Sequence, residues 1–160
     1  MIHFIKTNEA DKLFSIAAAC YPEKHFEAKT MEEDLFFLKE KVNMGVDFLI
    51  TQLFFDNDTF YQFMDKIRKN HISIPVSAGI MPITASTQLG TTVHLSGASV
   101  PAELSAIIAK YGERPEEMKK AGIDYAIRQI LDLLKHGVDG IHLYTMNKPE
   151  VASAILNGIR

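Results

Sequence analysis

Two polar and aromatic segments of the chain follow apolar stretches and carry residue types that bind ligands. Cys20-Tyr21-Pro22-Glu23-Lys24-His25-Phe26-Glu27-Ala28 follows the apolar stretch Leu13–Ala19, and Thr51-Gln52-Leu53-Phe54-Phe55-Asp56 ends a second apolar stretch. A tyrosine ring can stack on a flat ligand, histidine can donate to a cofactor or phosphate, and glutamine offers a donor and acceptors to a heterocycle. Because α/β folds collect ligands beyond the carboxyl ends of their strands, both segments predict a ligand site.

Each candidate residue also has an ordinary structural interpretation. His25 could be a loop histidine bonded to nearby backbone, the Tyr21 hydroxyl could cap the core, and Gln52 could find a backbone partner within the sheet. Asp34 and Lys41 share one helix face about 10 Å apart, so they could hold two ends of a long ligand. Their spacing alone favours a solvated charged surface.

The hydrophobic pattern predicts alternating strands and helices. Thr30 and Glu33 form a capping box before a helix that Gly45 closes. Strands are predicted at Leu13–Ala19, Asp47–Phe55, Pro75–Met81 and Val138–Tyr144, and the first two of them are expected to be buried. The helices after Thr30 are predicted at Thr59–Lys69, Pro101–Tyr111 and Pro115–His136, with a last helix capped by Asn147. His142 and the aromatic residues are assigned to the core: Phe36, Phe37, Phe54, Phe55, Phe60 and Phe63.

This order predicts an α/β fold with four parallel strands, because each crossover is long enough for a parallel connection. Four such units make a small open sheet or half of an eight-stranded barrel. No helix is recognised before the first strand, and the chain starts within Ile2–Thr7; we take both to favour the half barrel. A full (β/α)8 barrel needs about 250 residues. Residues 1–160 are therefore expected to form one domain, the C-terminal half of a TIM-type barrel whose N-terminal half is missing, with two open strand edges.

The four strand ends then share one rim, which is the catalytic face of a barrel. This rim is expected to carry Tyr21–His25, Gln52–Asp56, Pro82–Gln88 and Tyr144–Lys148. The central geometric prediction is that Tyr21, His25, Gln52 and Tyr144 point into a common mouth.

Composition excludes several classes of function. The chain has 160 residues, 47% hydrophobic and 23% charged, with a net charge of −3 and no basic run. A nucleic-acid partner, a membrane partner and a secretory signal are therefore not expected. Cys20 is the only cysteine. With no internal disulfide possible, we expect a reducing, cytoplasmic location. No metal site is expected, because no zinc-ligand spacing of cysteine and histidine occurs. The sequence also has no GxGxxG motif and no P-loop.

The same motifs resemble those of the methylenetetrahydrofolate reductase family, which are flavin-dependent (βα)8 barrels. The resemblance covers nearly the whole chain and keeps the order and spacing of the family. It rests on Ala17-Ala18-Ala19-Cys20-Tyr21-Pro22-Glu23-Lys24-His25-Phe26-Glu27-Ala28, Leu38-Lys39-Glu40-Lys41-Val42 with Gly45, Ile50-Thr51-Gln52-Leu53-Phe54-Phe55-Asp56, Gly79-Ile80-Met81-Pro82-Ile83, Val100-Pro101 and His142-Leu143-Tyr144-Thr145-Met146-Asn147.

The resemblance implies bound FAD and reduction of 5,10-methylenetetrahydrofolate to 5-methyltetrahydrofolate with NAD(P)H, a reaction of one-carbon metabolism and methionine biosynthesis. It places Tyr21, His25, Ala28, Asp34 and Lys41 at FAD positions. It places Gln52 at the pterin edge, Gln88 and Lys148 at further folate positions, and Tyr144 in the same pocket. No catalytic residue is expected here, because the general acid of the family belongs to the first half of the barrel.

This chain departs from the resemblance at four positions. Phe37 and Glu40 stand where some members carry Asn and Arg, and Lys148 replaces a frequent arginine. Glu40 would repel a pyrophosphate, so the helix that follows Thr30 is expected to hold the cofactor less tightly. Thr92 stands where an aromatic residue can stack on folate or nicotinamide, so this stacking contact is not expected from position 92 of this chain.

Three hypotheses follow. The first is the C-terminal half of a reductase, inactive by itself and needing a homo-oligomer or a partner chain that supplies the first half. The second is a non-catalytic half-barrel module for binding or assembly with a partner chain. The third is a different barrel enzyme for a phosphorylated ligand, which Gly79 and Gly90 support weakly.

Overall fold

A four-stranded parallel sheet organises the protein in this computed structural model, which describes residues 1–8 and 14–160. Its strands pair in the order β1-β2-β3-β4, each parallel to the next. Each crossover therefore moves one strand along in the same direction, as in a (β/α)8 barrel, whereas a doubly wound sheet reverses its order. The predicted half barrel is confirmed. The strands are β1 Ala17–Cys20, β2 Phe48–Thr51, β3 Val76–Ile80 and β4 Gly140–Leu143.

Helices precede, connect and follow the strands. Thr30 caps α2 as predicted, because its side chain accepts the Glu33 N–H at 3.2 Å. The helices are α1 Ile2–Asn8, α2 Met31–Asn43, α3 Asn57–Lys69, α4 Ser86–Ser96, α5 Ala102–Tyr111, α6 Pro115–Lys135 and α7 Pro149–Gly158.

Two of these helices correct the sequence analysis. The segment before the first strand was expected to lack a helix, yet α1 forms there, and the Lys6 ammonium bonds Asp47 at 2.8 Å. The α4 helix was missed because its sequence, STQLGTTVHLS, is rich in serine and threonine and contains Gly90, and these residues have low helix propensity. The structure places residues 86–88 inside this helix rather than in a loop.

The strands are shorter than predicted. β2 ends at Thr51, so Gln52 lies just beyond the strand and not within it. Only its backbone continues the pairing, by donating to Cys20 O at 2.7 Å. β1 starts at Ala17, and residue 13 of the predicted strand lies outside the described residues. This strand is not buried on both faces, since Ala17 and Ala19 are exposed while Cys20 is buried.

The main core lies between the sheet and its helices. Leu49, Val76, Ala78 and Ile80 of the sheet are buried there with residues of α2, α3, α6 and α7. A second cluster joins the ends of β2 and β3 to α5 and α6 through Leu53, Phe55, Ile83, Ala98, Leu104 and Met118. These clusters hold the strand ends at fixed positions relative to the surrounding helices.

Two core assignments and one cap were wrong. Phe54, Phe55, Phe60 and Phe63 are buried, but Phe36 and Phe37 are 60% and 55% exposed. On α2 the inward stripe is Leu35 and Leu38, and the two phenylalanines fall between these rows. Asn147 does not cap α7, because its φ of 60° belongs to a left-handed turn and Lys148 takes the cap position.

Candidate functional site

The carboxyl ends of the strands bring the predicted site residues to one edge of the sheet. The register pairs Cys20 with Thr51 and Ile80 with Leu143, so the segments that follow these strands leave from the same edge. Two pockets are lined by residues of these segments and the helices after them. We call them the β1–α2 pocket and the α4 pocket.

The β1–α2 pocket contains all the residues predicted to contact the cofactor. It has a volume of about 480 Å³. Tyr21, His25 and Ala28 come from the loop after β1, and Asp34 and Lys41 come from one face of α2. The pocket is lined by Tyr21, His25, Glu27, Ala28, Glu33, Asp34, Phe37, Glu40, Lys41 and Met44. The structure thus brings together Asp34 and Lys41, whose spacing alone favoured a solvated surface.

Hydrogen bonds to α2 shape the loop after β1. The His25 N–H donates to Asp34 Oδ2 at 2.9 Å, and the Lys29 N–H donates to Glu33 Oε2. The Glu27 N–H donates to His25 Nδ1 at 3.2 Å. Because Nδ1 accepts this bond, the neutral ring carries its proton on Nε2, which remains a potential donor. The Tyr21 ring meets the His25 ring edge-on at 4.5 Å.

The charge of this pocket is predominantly negative. Glu27, Glu33, Asp34 and Glu40 line it together with one cation, Lys41. The Lys41 ammonium donates to Ala19 O at 2.9 Å, which places the positive charge at the end of β1.

Burial controls the ionisation of two neighbouring groups. It raises the pKa of Tyr21, and the Asp34 carboxylate raises it further. It also raises the pKa of the Cys20 thiol to about 12, which Lys41 only partly offsets. Both groups are therefore neutral at pH 7, and Cys20 is not a nucleophile.

The α4 pocket contains three of the four residues predicted to contact the substrate. Gln52, Gln88 and Tyr144 line its volume of about 420 Å³. Lys148 is not among the lining residues; its ammonium lies 3.4 Å from Thr84 Oγ1. The remaining lining residues are Leu53, Met81, Thr87, Thr91, Thr92, Leu95, Ser96 and Met146.

Tyr144 lies against Thr51 at the carboxyl end of the sheet, and Thr51 accepts hydrogen bonds from both Tyr144 and Gly79. The Tyr144 hydroxyl donates to Thr51 O at 3.0 Å, and the Gly79 N–H donates to Thr51 Oγ1 at 2.8 Å. A Cβ on Gly79 would lie 2.8 Å from Tyr144 Cε2, so only glycine leaves room for this ring. Burial raises the pKa of Tyr144, and repulsion from the ionised forms that Cys20 and Tyr21 adopt at high pH raises it further. The residues of the two pockets thus lie within electrostatic reach of one another.

The two glutamines use their amide oxygens locally. Gln52 Oε1 accepts the Leu53 N–H at 2.9 Å. Gln88 Oε1 accepts the Thr84 N–H at 2.8 Å and the Ala85 N–H at 3.0 Å, so it closes the first turn of α4. In both side chains the amide oxygen is thus occupied, and the amide nitrogen is the group that can donate to a ligand.

Sequence reasoning missed the α4 wall of this pocket. Thr87, Thr91 and Leu95 recur at the four-residue spacing of one helix face, and that periodicity was the available signal. The central prediction of one common mouth also needs correction, because Tyr21 and His25 line one pocket while Gln52 and Tyr144 line the other. Phe37 and Glu40 lie in the first pocket and Thr92 in the second.

Comparison with known proteins shows which family this chain belongs to. The family profile of methylenetetrahydrofolate reductase matches residues 1–160. The chain belongs to the methylenetetrahydrofolate reductase family. "Methylenetetrahydrofolate reductase (NADH) 1" of Arabidopsis thaliana is 34% identical over 98% of this chain and 28% of its own length. The 5,10-methylenetetrahydrofolate reductases of Pectobacterium carotovorum and Escherichia coli are 33% and 32% identical over 92% of this chain.

This member of the methylenetetrahydrofolate reductase family spans about half the length of those bacterial relatives, 50% in each case, and matches their C-terminal half. A solved structure supports the fold. An uncharacterized protein from Clostridium thermocellum, described as binding two copies of 5-methyl-5,6,7,8-tetrahydrofolic acid, has a TM-score of 0.57 and 16% identity. The match covers 98% of this chain and 56% of that one.

Within residues 1–8 and 14–160 the chain has neither a membrane-spanning helix nor a metal-binding cluster. No helix there is both long and apolar enough to cross a membrane. No group of three or more histidine, cysteine, aspartate or glutamate side chains there is arranged to hold a metal ion.

Proposed function

We propose that this chain forms the second half of a methylenetetrahydrofolate reductase barrel and supplies walls for FAD and folate. In that role it takes part in the reduction of 5,10-methylenetetrahydrofolate to 5-methyltetrahydrofolate with NAD(P)H, in the cytoplasm. The observation that carries the proposal is the sorting of the implied residues. Those for the cofactor line one pocket, and three of the four for the substrate line another at the same sheet edge.

The β1–α2 pocket has the chemistry to hold FAD. Tyr21 and His25 offer aromatic surfaces, Ala28 leaves space, and Lys41 offers a cation to a phosphate group. The carboxylates beside Lys41 oppose the phosphates, so we expect weaker retention than a basic pocket would give. When bound, FAD supplies the hydride chemistry, and the protein supplies binding and orientation.

In the α4 pocket the protein binds and orients the folate ring. The free amide N–H groups of Gln52 and Gln88 can donate to acceptors on a pterin edge, and the Tyr144 ring forms a flat wall. Leu53, Met81, Leu95 and Met146 give the pocket an apolar lining, of which Leu95 and Met146 are exposed in the ligand-free protein. Tyr144 keeps its proton at pH 7 because its pKa is raised, so it is not a general base.

Ligand titration of the purified chain tests this proposal. We expect FAD to quench the tyrosine fluorescence and 5-methyltetrahydrofolate to bind separately. Gln52→Leu should weaken folate binding at least about tenfold, since it removes a hydrogen-bonding amide. Gln62→Leu, on the exposed surface of α3, is the matched control and should have no effect. Failure to bind either ligand contradicts the proposal, and rapid NADH-dependent folate reduction by this chain alone contradicts the absence of a general acid.

A second candidate is a non-catalytic half barrel that assembles with a partner chain or a second copy. It is favoured by the two outer strands. Among the described residues, β1 pairs only with β2 and β4 only with β3, and Ala17 and Ala19 are exposed. Size-exclusion chromatography with light scattering, run with and without FAD, separates the two candidates, because a species that binds FAD supports the first and a ligand-free oligomer supports the second.

A further inference from the structure

Lys24 has an unusual backbone conformation within the loop that forms one wall of the β1–α2 pocket. Its φ is 77°, in the left-handed region that favours glycine. The same loop supplies Tyr21, His25 and Ala28 to the pocket, whereas Lys24 itself is not a lining residue. A long side chain at such a position suggests that the side chain has a role, because glycine would fit the backbone with less strain.

The side chain of Lys24 cross-links the loop from within. Its half-buried ammonium donates to His25 O at 2.9 Å and also to Ala28 O. The loop backbone adds two turns, since the Lys24 N–H donates to Tyr21 O at 3.2 Å and the Ala28 N–H donates to His25 O at 3.1 Å. The ammonium therefore joins both ends of the turn between His25 and Ala28 by charge-assisted hydrogen bonds.

The other contacts of the loop hold it from outside. Asp34 accepts the His25 N–H, Glu33 accepts the Lys29 N–H, and the two carboxylate oxygens of Glu23 accept the Ser99 N–H at 3.0 Å each. These contacts fix the ends of the loop to α2 and to the segment after α4. Lys24 acts between those points, where His25 and Ala28 face the pocket.

We propose that Lys24 is a positioning residue, whose ammonium holds the turn between His25 and Ala28 in the shape that receives the ligand. The identity of the ligand as FAD rests on the proposed function, but the order of the loop does not.

Hydrogen–deuterium exchange of the ligand-free chain tests the cross-link directly. Lys24→Met keeps an apolar stem and removes the ammonium, so exchange across residues 21–28 should rise about tenfold while α2 is unchanged. Lys24→Gly should give the same rise although it suits the backbone better. Lys24→Arg should restore slow exchange, because a guanidinium can also reach two carbonyl groups. Lys29→Met removes an exposed lysine next to the loop and should have no effect.

The outcomes separate this inference from the proposed function. Exchange at the wild-type rate in both Lys24→Met and Lys24→Gly overturns the inference, and Lys24→Gly decides it if Lys24→Met does not fold. FAD titration forms the second arm, where Lys24→Met should weaken binding about tenfold and Lys24→Arg should restore it. Faster exchange with unchanged FAD affinity also overturns the positioning role. If the wild-type chain does not bind FAD, the proposed function fails and the exchange result still decides the role of Lys24.

Discussion

Replacing Gly79 by alanine should destabilise the sheet beneath the α4 pocket. A Cβ at this position would lie 2.4 Å from Thr51 O, 2.8 Å from Tyr144 Cε2 and 3.2 Å from Thr51 Oγ1. The nearest of these atoms belongs to the backbone of β2, which cannot move without disturbing the pairing of β2 with β3. The Tyr144 ring cannot move without losing its hydrogen bond to Thr51 O.

The expected size of this effect follows from those contacts. Overpacking a well-packed core costs about 1–3 kcal/mol. Loss of the bond between Tyr144 and Thr51 adds about 1 kcal/mol. The total is about 2–4 kcal/mol in the free energy of unfolding. In a chain of this size that corresponds to a fall in Tm of roughly 5–15 °C.

Gly90→Ala is the matched control for this substitution. Nothing lies within 4 Å of a Cβ built on Gly90, which is in the interior of α4. Alanine should therefore stabilise α4 by roughly 0.5–1 kcal/mol. Both variants can be compared by urea unfolding followed by circular dichroism. The reasoning is refuted if Gly79→Ala unfolds at the same urea concentration as the wild type, or if the two variants shift in the same direction.

Three further predictions concern charged and titratable groups. Cys20 in the folded chain should react with a thiolate-selective reagent at pH 8 at least about 100-fold more slowly than a free thiol, because burial raises its pKa to about 12; rapid labelling would contradict its burial. Hydrogen bonds from Asn57 and Tyr61 hold the pKa of Asp132 below its usual value. These bonds therefore stabilise the folded chain fully above the unfolded pKa of about 3.9, and that contribution is lost as the pH falls through the lower folded pKa. Asp132→Asn should accordingly flatten the acid limb of a urea-midpoint profile between pH 7 and 3, and an unchanged slope would count against the network. Glu40→Gln should tighten FAD binding at low salt, because it removes a negative charge that opposes the phosphates. The expected gain is only about two- to fivefold, because the residue is exposed and solvent screens its charge. Unchanged affinity in a titration would show that Glu40 does not act on the cofactor.

The parts of the fold that were predicted correctly have local signals. The N-cap of α2 at Thr30, the long helix α6 that begins at Pro115, and the short apolar strand β3 are all set by residues close in sequence. The second bond of the predicted capping box differs, because the Glu33 carboxylate accepts the Lys29 N–H and not that of Thr30. The α4 helix has a weaker local signal, because five of its 11 residues are serine or threonine and only the four-residue spacing of Thr87, Thr91 and Leu95 indicates a helix face. Gln88 fastens its first turn through side-chain contacts that a propensity argument does not include.

The exposed position of Phe36 and Phe37 could have been found from the sequence. Leu35 and Leu38 define the buried stripe of α2, and the two phenylalanines lie outside it at helical periodicity. The assignment to the core relied on residue type instead. Phe37 then lines the β1–α2 pocket, so an aromatic residue outside the buried stripe was a signal for a site.

The two pockets differ in how far their parts are separated along the chain, although the family resemblance named residues of both. The β1–α2 pocket is built from residues 21–44, which form one loop and one helix. Its contacts, such as that between His25 and Asp34, span few residues, although the spacing of Asp34 and Lys41 alone favoured a solvated surface. The α4 pocket depends on the bond between Tyr144 and Thr51, 93 residues apart, and on the space that Gly79 leaves between them. That arrangement requires β2, β3 and β4 to pair in register first, because a slip of one residue would turn these side chains to the other face of the sheet. The β1–α2 pocket is therefore a property of a single β–α unit, and the α4 pocket is a property of the assembled sheet.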